Sequence, residues 1–488
     1  MRRVQAASQA WLLVLLVGGS FGGSAWGDEN TDLNFLSALP PSAQTGQSTS
    51  SGSPSQESSS WVGQGKYFAE KSVTATALRD DAAAAYPSPG PPGWQSRSSF
   101  DASRKARLGD WSLNVSDRVN LLEQQDRDLT ARQAFRNDLR EADVIWQPAP
   151  QRYLEAGRIN QRAGVALGYN PTDFFKGGTQ LDQASIDPSV TREDRLGTAM
   201  LRGQAIGEGW SSILLYAPKL FEPPRLGSPS ESGFAPLLDR TNGSQRFLAS
   251  LSGDLFDMTP EVSLFQQDRR SRLGLSLTRQ MSRSVVAYGE WAGGREADGI
   301  VQAIAYGKRT GTLPASAPTL PATDEGLRFR QDAVAGFSWS SAEKVTINAE
   351  IHLHEAGMSR QEWKQWNAIG GATSPLALAP QAAGELWYLR NYAAYEQEPL
   401  TRQQVFLRAV WTDALIKDLE LSALTFITLG DGSSQSQISA RYFLSDRWTL
   451  EAFGGLDLGG GLDLGGGRSE WGSMPQAESL VLQLVRYF

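Results

Sequence analysis

The chain has 488 residues, of which 40% are apolar and 20% are charged, and it contains no cysteine. A membrane-spanning helix needs about 20 consecutive apolar residues, and the longest apolar run here, residues 11–17, is too short. The lack of cysteine excludes disulfides, thiolate metal sites and thiol nucleophiles. The formal net charge of -7 argues against nucleic-acid binding, which depends on neutralising phosphates.

The first residues have the pattern of a secretory signal peptide. Arg2 and Arg3 form a basic region, residues 11–17 an apolar one, and residues 25–27 a small-x-small cleavage site. We therefore expect residues 1–27 to be removed. Without the two arginines, 44 basic (46 − 2) and 53 acidic residues remain, so the exported protein would carry a net charge of -9.

The segment that follows is poor in apolar residues. From Ser42 to Ser60, nine of nineteen residues are serine, and such a composition cannot offset the entropy of ordering. We assign residues 28–105 to a disordered, low-complexity periplasmic tail and residues 106–488 to the folded domain. Within the tail, Trp61–Leu78 is apolar enough to dock elsewhere, for example as a plug.

From about residue 111 onward, short segments with period-2 alternation predict β-strands. In Val345–Leu353 the odd positions are apolar and the even positions polar, and residues 333–339 form the partner strand of a hairpin. Short turns alternate with long polar loops such as residues 161–196 and 355–402. A β-sandwich rarely carries several loops this long, whereas a transmembrane barrel does so as a rule.

The number of alternating segments predicts the size of the barrel. We expect an all-β, antiparallel, up-and-down transmembrane β-barrel of about 16 strands, within a range of 14–18. The predicted strands begin near residues 111, 139, 152, 197, 210, 245, 261, 271, 284, 331, 345, 403, 418, 434, 447 and 479.

The last strand carries a family resemblance. Leu480, Leu482 and Leu484 are in register with the terminal Phe488, which resembles the C-terminal signal strand of bacterial outer-membrane barrels, although Arg486 departs from it. With the signal peptide and the alternation, the chain resembles outer-membrane porin-like barrels. The motifs Gly157-Arg158-Ile159-Asn160 and Asn170-Pro171-Thr172-Asp173-Phe174 are similar to those of large monomeric porin-like proteins of the alginate-exporting type.

The resemblance implies a barrel in a Gram-negative outer membrane, with its N-terminal tail in the periplasm. Its partners would be outer-membrane lipid and lipopolysaccharide, the barrel-assembly machinery acting through the strand that ends at Phe488, and a solute or polymer substrate. We expect no enzyme activity, no cofactor and no nucleic-acid partner. The function would be passive or substrate-specific passage of small solutes or polymers, anionic ones included. The alternative is a non-conducting barrel that serves as a surface receptor, adhesin or scaffold.

Channels select solutes through charged side chains at a constriction. Arginine suits carboxylates and phosphates, so inward arginines would favour anions; alternatively, they pair with lumenal carboxylates such as Glu290 and Glu350. The candidates for lining the lumen are Arg158, whose parity is ambiguous, and Arg202, Gln204, Glu290, Asn348, Glu350, His352 and His354.

Two further groups of polar residues have competing interpretations. The loop of residues 161–196 is long and mixed in charge, so it could fold inward as a constriction loop, although a solvated loop is the simpler interpretation. Its candidate residues are Asp173, Lys176, Arg192 and Arg195. His352 and His354 share a strand face with Glu350 and could in principle bind a metal or act in hydrolysis, but we expect them to line the lumen and predict no metal site.

Overall fold

A computed structural model describes residues 62–78, 93–124, 134–181, 184–226, 233–320, 323, 325–369, 380–459, 469–474 and 476–488. Within these ranges, eighteen antiparallel strands form one sheet. They are β1 (Val62–Leu78), β2 (Trp94–Leu108), β3 (Trp111–Gln124), β4 (Phe135–Ala149), β5 (Arg152–Ile159), β6 (Thr198–Gly207), β7 (Trp210–Ala217), β8 (Arg246–Gly253), β9 (Met258–Gln267), β10 (Arg270–Ser282), β11 (Val285–Glu296), β12 (Arg328–Ser340), β13 (Val345–His354), β14 (Gln403–Trp411), β15 (Leu419–Thr428), β16 (Ser434–Ser445), β17 (Trp448–Leu458) and β18 (Gln476–Tyr487).

Helices occur in the long connections. They are α1 (Pro188–Glu193), α2 (Leu238–Thr241), α3 (Gly299–Thr310), α4 (Arg360–Ile369) and α5 (Pro380–Glu396). Residues of α3, α4 and α5 share an apolar cluster that includes Ile304, Trp366 and Leu389. None of the described helices has the length and apolar character needed to cross a bilayer.

The sheet closes on itself. Each strand pairs with the next along the chain, and β1 pairs with β18 from Phe68 opposite Tyr487 to Leu78 opposite Gln476. Closure leaves no sheet edge, so the wall bonds its own backbone groups, as a barrel in lipid must. The predicted all-β antiparallel barrel is confirmed, and eighteen strands lie within the predicted range.

The boundary predicted between tail and barrel at residues 105 and 106 is wrong. The sixteen predicted segments correspond to β3 to β18, while β1 and β2 come from the segment assigned to the tail. Their alternation is weak because small residues such as Ala69 and Ser98 stand where other strands carry leucine. Residues 62–78 are therefore a wall strand and not a plug. The predicted signal peptide, residues 1–27, and the serine-rich stretch after it lie outside the described residues.

The two faces of the wall differ as the alternation predicts. Leu273, Leu275 and Leu277 on β10 point outward and are exposed, whereas inward residues are mostly polar. At the short-turn end, the rings of Trp111 and Trp146 stack at a centroid distance of 5.7 Å. The Arg486 guanidinium lies over the rings of Trp448 and Phe488, which accounts for an arginine on this apolar stripe.

A candidate constriction in the barrel lumen

The described residues between β5 and β6, 160–181 and 184–197, fold into the barrel; we call them the inner loop. Asp173 and Arg195 are each only 1% exposed, and Phe175 and Leu196 are also buried. The interpretation of residues 161–196 as a solvated loop is therefore wrong. All four loop candidates, Asp173, Lys176, Arg192 and Arg195, lie inside the barrel.

The Glu290 carboxylate on β11 is the main anchor of the inner loop. Its Oε1 accepts hydrogen bonds from the N–H groups of Val165 and Ala166, both at 2.5 Å. Its Oε2 accepts from the N–H and Oγ1 of Thr172, at 3.2 and 2.7 Å. Gly164 has a φ of 84°, and a Cβ there would lie 2.6 Å from Glu290 Oε1. Glycine thus lets the loop backbone approach the carboxylate.

Glu350 on β13 repeats this arrangement. It accepts hydrogen bonds from the N–H groups of Leu167 and Gly168, at 2.6 and 2.9 Å, and from the Tyr288 hydroxyl at 2.7 Å. His352 Nε2 lies 2.7 Å from its Oε2. Each hydrogen bond to a charged group contributes about 1.5–3 kcal/mol, so the two glutamates together fix the course of residues 165–172.

Among the described residues, Arg202 pairs with a lumenal carboxylate, Glu155, as the alternative interpretation predicts, but no arginine pairs with Glu290 or Glu350. Both carboxylates bind loop N–H groups instead. Arg195 pairs with Asp173 inside the loop, at 2.8 and 3.3 Å. Arg192 on α1 donates to loop carbonyl oxygens, including Ala166 O at 3.0 Å.

The inner loop also reaches distant parts of the wall. Its contacts extend to β3 and β4 on one side and to β14 and β16 on the other, so it spans much of the lumen. These contacts join Asp194 to Arg118 and Arg140 (3.3 and 2.6 Å), Asp187 to Arg408 (2.9 Å), and the Ile186 N–H to Gln437 Oε1 (2.9 Å).

The other lumen candidates divide into two groups. Arg202 faces inward and is paired with Glu155, and its Nη1 donates to Gln161 at 3.1 Å. Gln204, on the same face, is half-buried, and Asn348 is buried on the face of Glu350. Arg158 is different: it is buried and donates to Gly197 O and Pro236 O at 3.0 and 2.5 Å. It braces loop backbone rather than facing an open lumen.

His354 belongs to an ionic cluster that joins the wall to two loops. Its Nδ1 lies 2.8 Å from Asp332 Oδ1, and its Nε2 lies 3.6 Å from Glu398 Oε2. The three residues offer ligand atoms within 4.8 Å of one another, as a metal site would. However, Asp332 pairs with Arg272, and Lys176 Nζ lies 4.0 Å from Glu398 Oε1. Because two cations already offset the two carboxylates, we describe this as an ion-pair network.

Residues 395–398, the last two residues of α5 and the two that follow, contact the inner loop; we call this contact the latch. The Gly178 N–H donates to Tyr395 O at 2.7 Å, and Gln397 Nε2 donates to Lys176 O at 2.5 Å. A Cβ at Gly177 would lie 2.5 Å from a Glu396 carboxyl oxygen, so glycine permits the close approach. Burial, and then the charge of Glu398, raises the pKa of Glu396 to about 7.

Most of these partners were missed from the sequence. Glu398 and its latch neighbour Gln397 lie in a loop, where alternation does not predict which way a side chain points, and Asp332 lies near the start of β12. Arg118 and Arg140 lie on inward strand faces beside Asn120 and Asp138. The alternating polar residues of β3 and β4 could therefore have predicted that both arginines face the lumen.

Comparison with known proteins supports the fold. No protein-family model matches the sequence, and no curated protein matches it. A BenF-like porin from Pseudomonas fluorescens Pf-5 has a similar structure, with a TM-score of 0.50 and 8% identity over 87% of this chain and 98% of that one. OccK2 (OpdF) of Pseudomonas aeruginosa gives a TM-score of 0.49 and 11% identity over 87% and 97%. The chain thus has a porin-like fold, whereas the likeness to alginate exporters stays a prediction.

The anchoring role of Glu290 can be tested with Glu290→Ala. Loss of the carboxylate leaves loop N–H groups without an acceptor and should destabilise the inner loop by about 2–4 kcal/mol. We expect a higher and noisier single-channel conductance, and faster proteolysis within residues 160–197. The control is Glu451→Ala, which removes a lumenal carboxylate bonded to Arg441 and Gln483 on the wall. Equal behaviour of the two variants would contradict the role of Glu290.

The latch should weaken as pH rises. The Glu396 pKa is raised to about 7 in the closed latch, so the Glu396 carboxyl binds its proton more tightly when the latch is closed than when it is open. Protonation of Glu396 therefore stabilises the closed latch. This stabilisation is fully present below the ordinary glutamate pKa and is lost as pH rises through about 7. We expect more frequent large-conductance openings between about pH 5.5 and 8.5. Glu396→Gln should remove this dependence, and an unchanged pH profile in that variant would refute it.

Proposed function

We propose that the protein is an outer-membrane channel of a Gram-negative bacterium that passes small polar solutes. The observation that carries the proposal is a closed barrel with an apolar outer face, whose polar interior is narrowed by an inner loop fixed to wall carboxylates. A pore through such a barrel conducts through its polar lumen and selects by the charges that line it. The name porin, carried by solved structures with this fold, agrees with the proposal.

The charges near the inner loop favour anions. Arg192 is held only by carbonyl oxygens among the described contacts, so its positive charge is not offset by a bonded carboxylate. Arg202 keeps 24% of its side chain exposed beside Glu155. Most other lumenal arginines are paired, which predicts a modest anion preference.

The orientation and partners follow from the same proposal. The short turns would face the periplasm, and the long loops would face the exterior and lipopolysaccharide. Insertion would use the barrel-assembly machinery, which would bind the strand that ends at Phe488.

A second function is favoured by how much of the lumen the inner loop spans. If the loop contacts from β3 and β4 to β14 and β16 close the lumen, the barrel would serve as a surface receptor, adhesin or scaffold. An enzyme is less well supported. Within the described contacts, His352 and His354 bond to carboxylates and the Tyr169 hydroxyl, and neither histidine bonds to a serine or threonine.

Single-channel recording of the refolded protein separates these functions. We expect discrete steps with a reversal potential that shows anion preference. Arg202→Ala removes a positive charge and leaves Glu155 without its partner, so the anion-to-cation permeability ratio should fall by roughly twofold. The control, Arg486→Gln, lies on the outer face and should leave the ratio unchanged. A folded barrel that gives no steps would support the receptor function instead.

A further inference from the structure

The outer face of β1 and β2 differs from that of strands that carry a leucine stripe. On β18, for example, Leu480, Leu482 and Leu484 alternate along the outward face. On β1 and β2, the outward positions carry mostly small residues, with Phe100 leaning toward Phe488 at a ring distance of 6.4 Å. The small outward residues are Ala69, Ala75, Ser96, Ser98 and Ala102.

Lys71 lies on this outward face. Its neighbour Glu70 points inward, where it pairs with Arg118 at 2.7 Å, and Val73, which shares the parity of Lys71, is exposed. The Lys71 ammonium donates to Ser98 Oγ at 3.0 Å. A single hydroxyl does not offset a charge that faces lipid.

The strand register places Lys71 at mid-height of the wall. Crossing the sheet from Lys71 toward β4, the paired residues are Ser98 on β2, Leu121 on β3 and Phe135 on β4. Phe135 is the first residue of β4 and lies at the long-loop end. In the other direction the register runs through Leu484, Leu450 and Tyr442 to Leu419, the first residue of β15 at the short-turn end. Lys71 is three strands from one rim and four from the other. Charged residues on the lipid face destabilise a barrel most at this depth.

Asp117 on β3 provides the complementary charge on the same face. The uninterrupted pairing of β2 with β3 keeps it outward, between inward Ser116 and Arg118, and its carboxylate accepts from Asn137 Nδ2 at 2.9 and 2.7 Å. Strand spacing and a tilt of about 40° put it within about 4 Å of the height of Lys71 and about 16 Å to the side. The two charges therefore flank β2 at one level.

We propose that the face formed by β1, β2 and β3 is an interface with a second copy of this chain, related by a twofold axis normal to the membrane and passing over β2. Both copies insert in one direction, so the axis must be normal to the membrane. A twofold axis over β2 sets β1 of one copy against β3 of the other. Lys71 of each copy then meets Asp117 of the other. Lys71 lies opposite Ser98 and Asp117 opposite Ala102, so the axis passes over Phe100 and the two Phe100 rings meet across it. Ser98 and Ala102, on either side of this ring, are small and allow the close approach that protein contacts in a membrane require.

The natural lack of cysteine permits a direct test of the axis. Phe100→Cys puts one thiol on the axis in each copy, so mild oxidation should link two chains in lipid nanodiscs. The control, Leu275→Cys, exposes a thiol on the outer face of β10 and should give no linked dimer. Light scattering of the wild-type protein should give twice the mass of one chain. A single-chain mass, or equal linking at both positions, would overturn the proposal.

Charge reversal tests the contact itself. Lys71→Asp and Asp117→Lys should each weaken dimerisation by at least about tenfold in dissociation constant, and the double variant should restore it. Heat-modifiable gel mobility shows whether each variant has folded, and the single-channel conductance per barrel should be unchanged because neither residue faces the lumen. A dimer that survives both single reversals would overturn the proposal. Failure of the dimer would leave the channel function intact, because conductance is measured separately.

Discussion

A sheet in a bilayer must bond its backbone N–H and C=O groups within itself, and the pairing of β1 with β18 is what makes this possible here. Once the sheet is closed, residue parity fixes which side chains meet lipid and which meet the lumen. An eighteen-strand barrel encloses more space than wall side chains can fill. The inner loop occupies part of this space, so its anchoring determines how much of the lumen is filled.

The anchoring uses carboxylates in an unusual way. Lumenal glutamates are expected to pair with arginines, yet Glu290 and Glu350 accept backbone N–H groups of residues 165–172. A carboxylate has acceptor sites for several donors, and consecutive N–H groups form a concave donor surface suited to an anion. The arginines of the inner loop bond to other groups: Arg195 forms an ion pair with Asp173, and Arg192 donates hydrogen bonds to loop carbonyl oxygens. The loop is thus held at both its backbone donors and its acceptors.

The sequence predicted what depends on local alternation. Strands such as β10 and β13 have contrasting faces, and all sixteen predicted segments were found. It missed β1 and β2, because Ala69, Ser96 and Ser98 on their outward face give little contrast and follow a serine-rich stretch. The course of the inner loop could not be predicted, because Glu290 is 125 residues away from Val165 and its partners are backbone groups, which any residue carries. His354 likewise meets Asp332 and Glu398 only through closure of the barrel and folding of the loop that ends at β14.

In the proposed channel, polar conduction, selectivity and gating all depend on one region, where the inner loop meets Glu290, Glu350 and the latch. The most direct test is to replace residues 163–172 with a shorter glycine-serine link and to measure single-channel conductance in planar bilayers. If the inner loop forms the constriction, conductance should rise severalfold, and the anion preference should weaken because the carbonyl oxygens that position Arg192 are lost. A folded barrel with unchanged conductance would contradict the account, because the constriction would then lie elsewhere in the lumen.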